Sequence, residues 1–263
     1  MRLACSSYSY HDDLDGGEMD VFEFLERAET DLPVDGVELI EEHLPDDDPE
    51  TLSAVRETAD SYDLDIACLS VFYNDFAKAA RTDRREDVRT VTSWLDRADA
   101  LGANVVRAFT GFPGLHDREH GDPAVWRDVA RCLQECVDYA ETCETTLAIE
   151  NHNHDGLIRT ADDVYEARSR VNGELGLVLD LANYVDGRES IERTRHLADH
   201  VHAAYDAVDD RGADPDHPYY AEELRALVDT GYEGYVTLEW EGEADDREAV
   251  PRALAYLDDR LPA

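Results

Sequence analysis

Lysine is almost missing from this 263-residue chain: Lys78 is its only one, and arginine supplies the rest of the 24 basic side chains. Facing them are 63 aspartates and glutamates, a formal net charge of -39. So few cations leave no basic footprint, which argues against binding a nucleic-acid backbone. No apolar run approaches the roughly 18 residues of a membrane span, and none resembles a signal peptide, because strand-like Leu3-Ala4-Cys5 soon turns polar. No CxxC pair occurs among the five cysteines, Cys5, Cys68, Cys132, Cys136 and Cys143. Buried free thiols in a reducing, cytoplasmic compartment are expected, rather than a disulfide or metal cluster. No Pro- or Ser-rich linker divides the chain, so residues 1–263 are expected to form one domain.

What is there in excess is acid, and it is dispersed, as in Asp46-Asp47-Asp48 and Asp245-Asp246. A local partner site would concentrate the charge. A whole-surface excess instead suits a halophilic protein, since the Debye length falls to about 3 Å in molar salt and self-repulsion is screened.

Short apolar runs alternate with amphipathic stretches along the whole sequence. The runs predict strands at Leu3–Ser7, Gly36–Ile40, Asp65–Phe72, Asn104–Phe109, Thr146–Asn151, Leu175–Asp180, His200–Ala204 and Tyr235–Trp240. Helices are predicted over Met19–Glu29, Pro49–Tyr62, Arg84–Leu101, Pro123–Cys143, Thr160–Val171, Arg188–Ala198, Ala221–Thr230 and Asp246–Arg260. Thr160 followed by Asp162 and Asp163 reads as a helix start, and Gly102 and Gly231 as helix stops. Eight strand–helix repeats are the count of a (β/α)8 TIM barrel. The rival, a doubly wound open sheet, commonly carries a Gly-rich phosphate turn after its first strand, and Ser6-Ser7-Tyr8-Ser9 is not one.

Barrel active sites stand at the C-terminal ends of the strands. There the fifth strand ends in Glu150, the sixth in Asp180, the seventh carries His200 and His202, and the eighth has Glu239. Singly, each residue has a plainer use. Glu150 or Glu239 could pair with Arg107, Asp180 could cap the next segment, and His202 could be a core histidine, with His200 the ligand in its place. Together, two glutamates, an aspartate and an imidazole in one pocket need a compensating charge, because buried carboxylates repel and lose hydration. The set predicts one divalent metal ion on Glu150, Asp180, His202 and Glu239. Its oxygen-rich chemistry suits Mn2+ first, then Mg2+, Co2+ or Zn2+.

With Gly36-Val37-Glu38-Leu39, Glu150-Asn151-His152, Asp180 with Asn183, His202-Ala203, and Gly231-Tyr232-Glu233-Gly234-Tyr235 leading to Glu239, the chain resembles the xylose isomerase-like TIM-barrel superfamily, in its sugar phosphate isomerase/epimerase branch. The resemblance runs across essentially the whole chain. It implies the same four metal ligands, with Glu150 and Glu239 also acting as acid and base on opposite faces of a sugar. It further implies that Glu38, His43, Arg107, Asn151, His152 and Asn183 orient hydroxyls or neighbouring ligands, and that Trp240, Phe72 and Tyr73 offer apolar faces to the sugar.

Two departures qualify it. Relatives often have a lysine two residues after the seventh-strand histidine, where this chain has Ala204. The endonuclease IV group needs further histidines, and beyond His217 no such set is evident. The expected function is therefore a metal-dependent isomerase or epimerase of a keto-sugar or polyol, working through an enediolate. An inosose-dehydratase-like or keto-glycoside lyase is the alternative, and a non-catalytic sugar-binding barrel the third reading. The expected partner is a small sugar or polyol, with no nucleic acid and no membrane; a homo-oligomer is compatible with the sequence.

Overall fold

The structure, a computed structural model, describes residues 1–153 and 155–261. Its strands are β1 (Arg2–Ser6), β2 (Gly36–Ile40), β3 (Asp65–Ser70), β4 (Val105–Ala108), β5 (Thr146–Glu150), β6 (Gly176–Asp180), β7 (Ala198–Tyr205) and β8 (Tyr235–Trp240). Each pairs in parallel with the next, and β1 pairs with β8, closing a barrel in sequence order. Around it lie α1 (His11–Gly16), α2 (Val21–Asp31), α3 (Pro49–Ser61), α4 (Arg81–Leu101), α5 (Pro123–Ala140), α6 (Ala161–Ser169), α7 (Arg188–Thr194), α8 (Tyr220–Asp229) and α9 (Asp246–Asp258). None of these helices is long and apolar enough to cross a membrane.

Local chemistry fixes the element ends. Asp20 caps α2 through the amides of Phe22 and Glu23, and Glu23 returns a bond to the Asp20 amide. Thr160 and Asp163 form the same reciprocal cap on α6. Gly102 closes α4 at φ 76, in the left-handed region open to glycine. The element the sequence did not signal is α1, whose six residues are too few for a hydrophobic period to register. All five cysteines are free, and all but Cys143 are buried.

The apolar core lies mainly between the strands and the helices. Inside the barrel, the two-residue period of a strand builds layers. Cys68, Val105, Ala148 and Val178, from β3 to β6, form one apolar cluster. Two residues further along the same strands come Ser70, Arg107, Glu150 and Asp180, all buried. One step along each strand thus converts an apolar plug into a polar floor. The next two strands continue the pattern, with His200 and His202 on β7 and Thr237 and Glu239 on β8, again all buried.

Candidate metal centre

Glu150, Asp180, His202 and Glu239 each offer a ligand atom within 4.8 Å of the others, and all are buried. His202 is the hub: its Nδ1 lies 2.8 Å from Glu150 Oε1 and 3.1 Å from Glu239 Oε2. Asp180 divides its two oxygens. Oδ1 accepts from the amides of Ala182 (2.6 Å) and Asn183 (2.9 Å), which caps the segment after β6. Oδ2 is buried and has no hydrogen-bond partner among the described residues. Asn151 fixes the Asp180 backbone: its Nδ2 donates to Asp180 O and its Oδ1 accepts from Asp180 N, both at 2.9 Å.

Beneath this group Glu38 links both histidines. Its Oε2 is 2.8 Å from His202 Nε2 and 3.1 Å from His200 Nε2, while Ser70 Oγ donates to Oε1 at 2.6 Å. His200 also meets Thr237 Oγ1 at 2.8 Å, so its Nε2 faces Glu38 and Thr237 rather than the four-residue group. Arg107 reaches Ser70 Oγ through Nε (3.0 Å) and Glu150 Oε2 through Nη1 (3.4 Å). A carboxylate on the far nitrogen of an imidazole fixes its orientation and raises its basicity as a ligand.

The electrostatics point to a cation. Four carboxylates, of Glu38, Glu150, Asp180 and Glu239, are buried in this group, which the Arg107 guanidinium meets at Glu150. Burial opposes ionisation of Asp180, and the Glu150 charge adds to it, raising its pKa well above the ordinary range. Burial also works against a charged His202, yet Glu239, Glu38 and Glu150 outweigh it and hold the imidazolium well above its ordinary pKa. At Glu150 the Arg107 and His202 charges overcome burial and lower the pKa. A proton on His202 Nδ1 and a divalent cation compete for one atom. Oxygen and imidazole donors within a 4.8 Å group, with one orphaned carboxylate oxygen among them, fit a cation such as Mn2+, Mg2+, Co2+ or Zn2+.

Over the cluster opens a cavity of about 590 Å³, with Glu150, Glu239, Arg107, His152 and Asn183 at its polar end. Other residues expected near the site sit elsewhere. Glu38 and Asn151 are buried below the cavity, acting on His202 and on the Asp180 backbone. His43 bonds Ser7 Oγ through Nδ1 at 2.8 Å, and the Trp240 indole donates to Ala244 O at 3.3 Å; neither lines the cavity. His217 pairs with Asp214 at 2.8 Å, apart from the cluster. Sequence reasoning missed Glu241, a cavity-lining carboxyl raised to about 7 by burial and the neighbouring Glu239 charge. Its sequence signal was position alone: it lies two residues beyond Glu239, one step past the end of β8.

The chain is thus a closed parallel barrel carrying, on β5 to β8, a buried carboxylate–histidine cluster that could hold a metal ion. Residues 27–260 match the model of the xylose isomerase-like TIM barrel family, and the chain belongs to that family. Among solved structures, it is similar to the D-psicose 3-epimerase of Clostridium cellulolyticum H10 with D-tagatose, at TM-score 0.79 and 18% identity over 99% of this chain and 98% of that one. The 3-keto-D-glucoside 4-epimerase of E. coli gives TM-score 0.77 and 19% identity, covering 98% and 99%. An AP endonuclease of family 2 from Brucella melitensis gives 0.74 and 19%, covering 97% and 99%. At these identities the likeness is one of fold. A curated relative, the 3'-dehydrocarminate deglycosidase alpha subunit of a Microbacterium species, is 46% identical over 43 residues, which span 16% of this chain and 12% of that protein.

Proposed function

We propose that this chain is a metal-dependent isomerase or epimerase of a keto-sugar or related polyol. The observation that carries the reading is the meeting of Glu150, Asp180, His202 and Glu239 under an open cavity, with Asp180 Oδ2 left without a hydrogen-bond partner among the described residues. A bound divalent ion supplies charge compensation and polarisation of a substrate carbonyl. Glu150 and Glu239 both reach the cavity and stand on separate strands. One removes the proton from the carbon beside a carbonyl, leaving an enediolate, and the other returns a proton to it; each is worth about 10²–10⁴-fold. Arg107 keeps Glu150 ionised and therefore able to accept that proton. Asn183 and His152 line the same end and can orient substrate hydroxyls.

A lyase would share the proton abstraction and differ only in the fate of the enediolate. The 43-residue similarity to a deglycosidase subunit favours keeping that reading in second place.

Both are tested by following solvent deuterium into a panel of ketoses, inososes and keto-glucosides by NMR, with Mn2+ present. Glu150→Gln and Glu239→Gln should each lose exchange by about 10²–10⁴-fold, with metal occupancy measured in the same samples. Exchange that survives both substitutions contradicts the assignment. Sugar binding without any exchange would make the protein a non-catalytic binder.

A further inference from the structure

Away from the carboxylates the cavity changes character. Phe72, Tyr73, Phe109, Phe112 and Leu115, from the segments that follow β3 and β4, line it there beside Asn74, Asp75, Lys78 and His116. Tyr73 is 67% exposed and Leu115 68%, more than any other large apolar side chain among the described residues. Phe109 is the junction, with the Arg107 guanidinium 4.2 Å above its ring.

These side chains stand on a rigid frame. Asn74 Nδ2 donates to Phe109 O at 2.6 Å, and its Oδ1 accepts from Phe109 N at 2.9 Å. Asp75 Oδ1 accepts from the amides of Ala77 (2.8 Å) and Phe112 (3.0 Å), while Oδ2 meets His116 Nε2 at 2.6 Å. Arg118 donates to Ala77 O at 2.9 Å. The two loops are cross-linked, so the backbone that carries Phe109 and Phe112 is set before any ligand arrives, which lowers the entropic cost of binding.

The polar groups that share this lining are already engaged, Asn74 and Asp75 with backbone, His116 with Asp75 and Lys78 with Asp87 at 2.8 Å, so a bare sugar's hydroxyls lose water there and gain few partners. The volume, about 590 Å³, falls within the roughly 300–1,000 Å³ typical of sites for drug-sized ligands. Resting on the reading of the carboxylates as a keto-sugar site, we infer that the substrate is a keto-sugar bearing a flat apolar substituent, an aryl keto-glycoside in chemical class. The sugar lies over Glu150 and Glu239. The aryl group rests on the apolar part of the lining, against Phe112, Leu115 and the edge-to-face pair Phe72–Tyr73 (4.7 Å, 84°).

The test is calorimetric binding to the Mn2+-supplemented protein in high salt, comparing p-nitrophenyl and methyl 3-keto-β-D-glucopyranoside. The aryl probe should bind about 10–100-fold more tightly, and a Phe112→Ala/Leu115→Ala variant, checked for an unchanged melting temperature, should bring the two affinities together. Equal affinities in the wild type, an aryl advantage that survives the double substitution, or no binding of either probe would overturn the inference. The two readings fail separately. Aryl preference without proton exchange sinks the catalytic reading alone, and exchange on free ketoses without aryl preference sinks this one alone.

Discussion

The two oxygens of Asp180 have separate duties, and the distinction recurs around the site. Oδ1 holds the turn after β6 by accepting two amides, while Oδ2 is buried without a hydrogen-bond partner among the described residues, in the group with Glu150 and Glu239. The two uses weighed for this residue, cap and ligand, are therefore compatible. Glu41 is a different case. The Phe72 amide donates to both its oxygens at 2.9 Å, yet burial still raises its pKa from 4.5 to about 7. Between those values the folded state keeps a proton that the unfolded chain has lost, so stability falls as pH rises through that window. We predict a melting temperature that declines from pH 5 to pH 8, with a shallower decline in Glu41→Gln, Glu241 keeping its own share. An identical slope in the variant would contradict this assignment.

At the scale of elements, the barrel's lower end explains one glycine. A Cβ at Gly36 would lie 2.6 Å from Asp65 O and 3.0 Å from the Tyr235 ring, which packs there with Ala4 and Ala67. Gly36→Ala should cost about 1–3 kcal/mol by overpacking, a fall of roughly 2–4 °C per kcal/mol in a thermal melt; an unchanged melt would mean that the β2–β3 edge yields freely. Strand positions were legible because apolar runs are bounded sharply: β2 and β8 have the predicted ends, and β5 and β6 differ by a single residue. The candidate metal group was legible for a related reason: Glu150 and Asp180 end their strands and Glu239 stands one residue short of the end of β8, while His202 lies three residues inside β7. Loop chemistry was not. Nothing local in Asn74-Asp75 signals bonds to Phe109 and Phe112, 35 and 37 residues away, and Glu38 was visible in the sequence without its link to both histidines.

For the whole molecule, the net charge of -39 must be carried on a barrel whose own centre is also acidic. Many arginines form exposed pairs, such as Arg188 with Glu222 and Arg247 with Asp13, which contribute little individually. Self-repulsion is then governed by screening. The melting temperature should rise by several degrees or more between about 0.1 M and molar KCl, where the Debye length falls from about 10 Å to about 3 Å. A flat salt response would show that the surface charge is not limiting.

The account rests on a cation at Glu150, Asp180, His202 and Glu239, and elemental analysis tests that most directly. Protein purified in high salt without chelators should carry about one divalent ion per chain. Asp180→Asn should lose it while staying folded, because asparagine can still accept the two amides through Oδ1 but gives up the charge at Oδ2. A folded wild-type chain that remains metal-free after incubation with Mn2+, Zn2+ and Mg2+ would contradict the metal centre and the chemistry built on it.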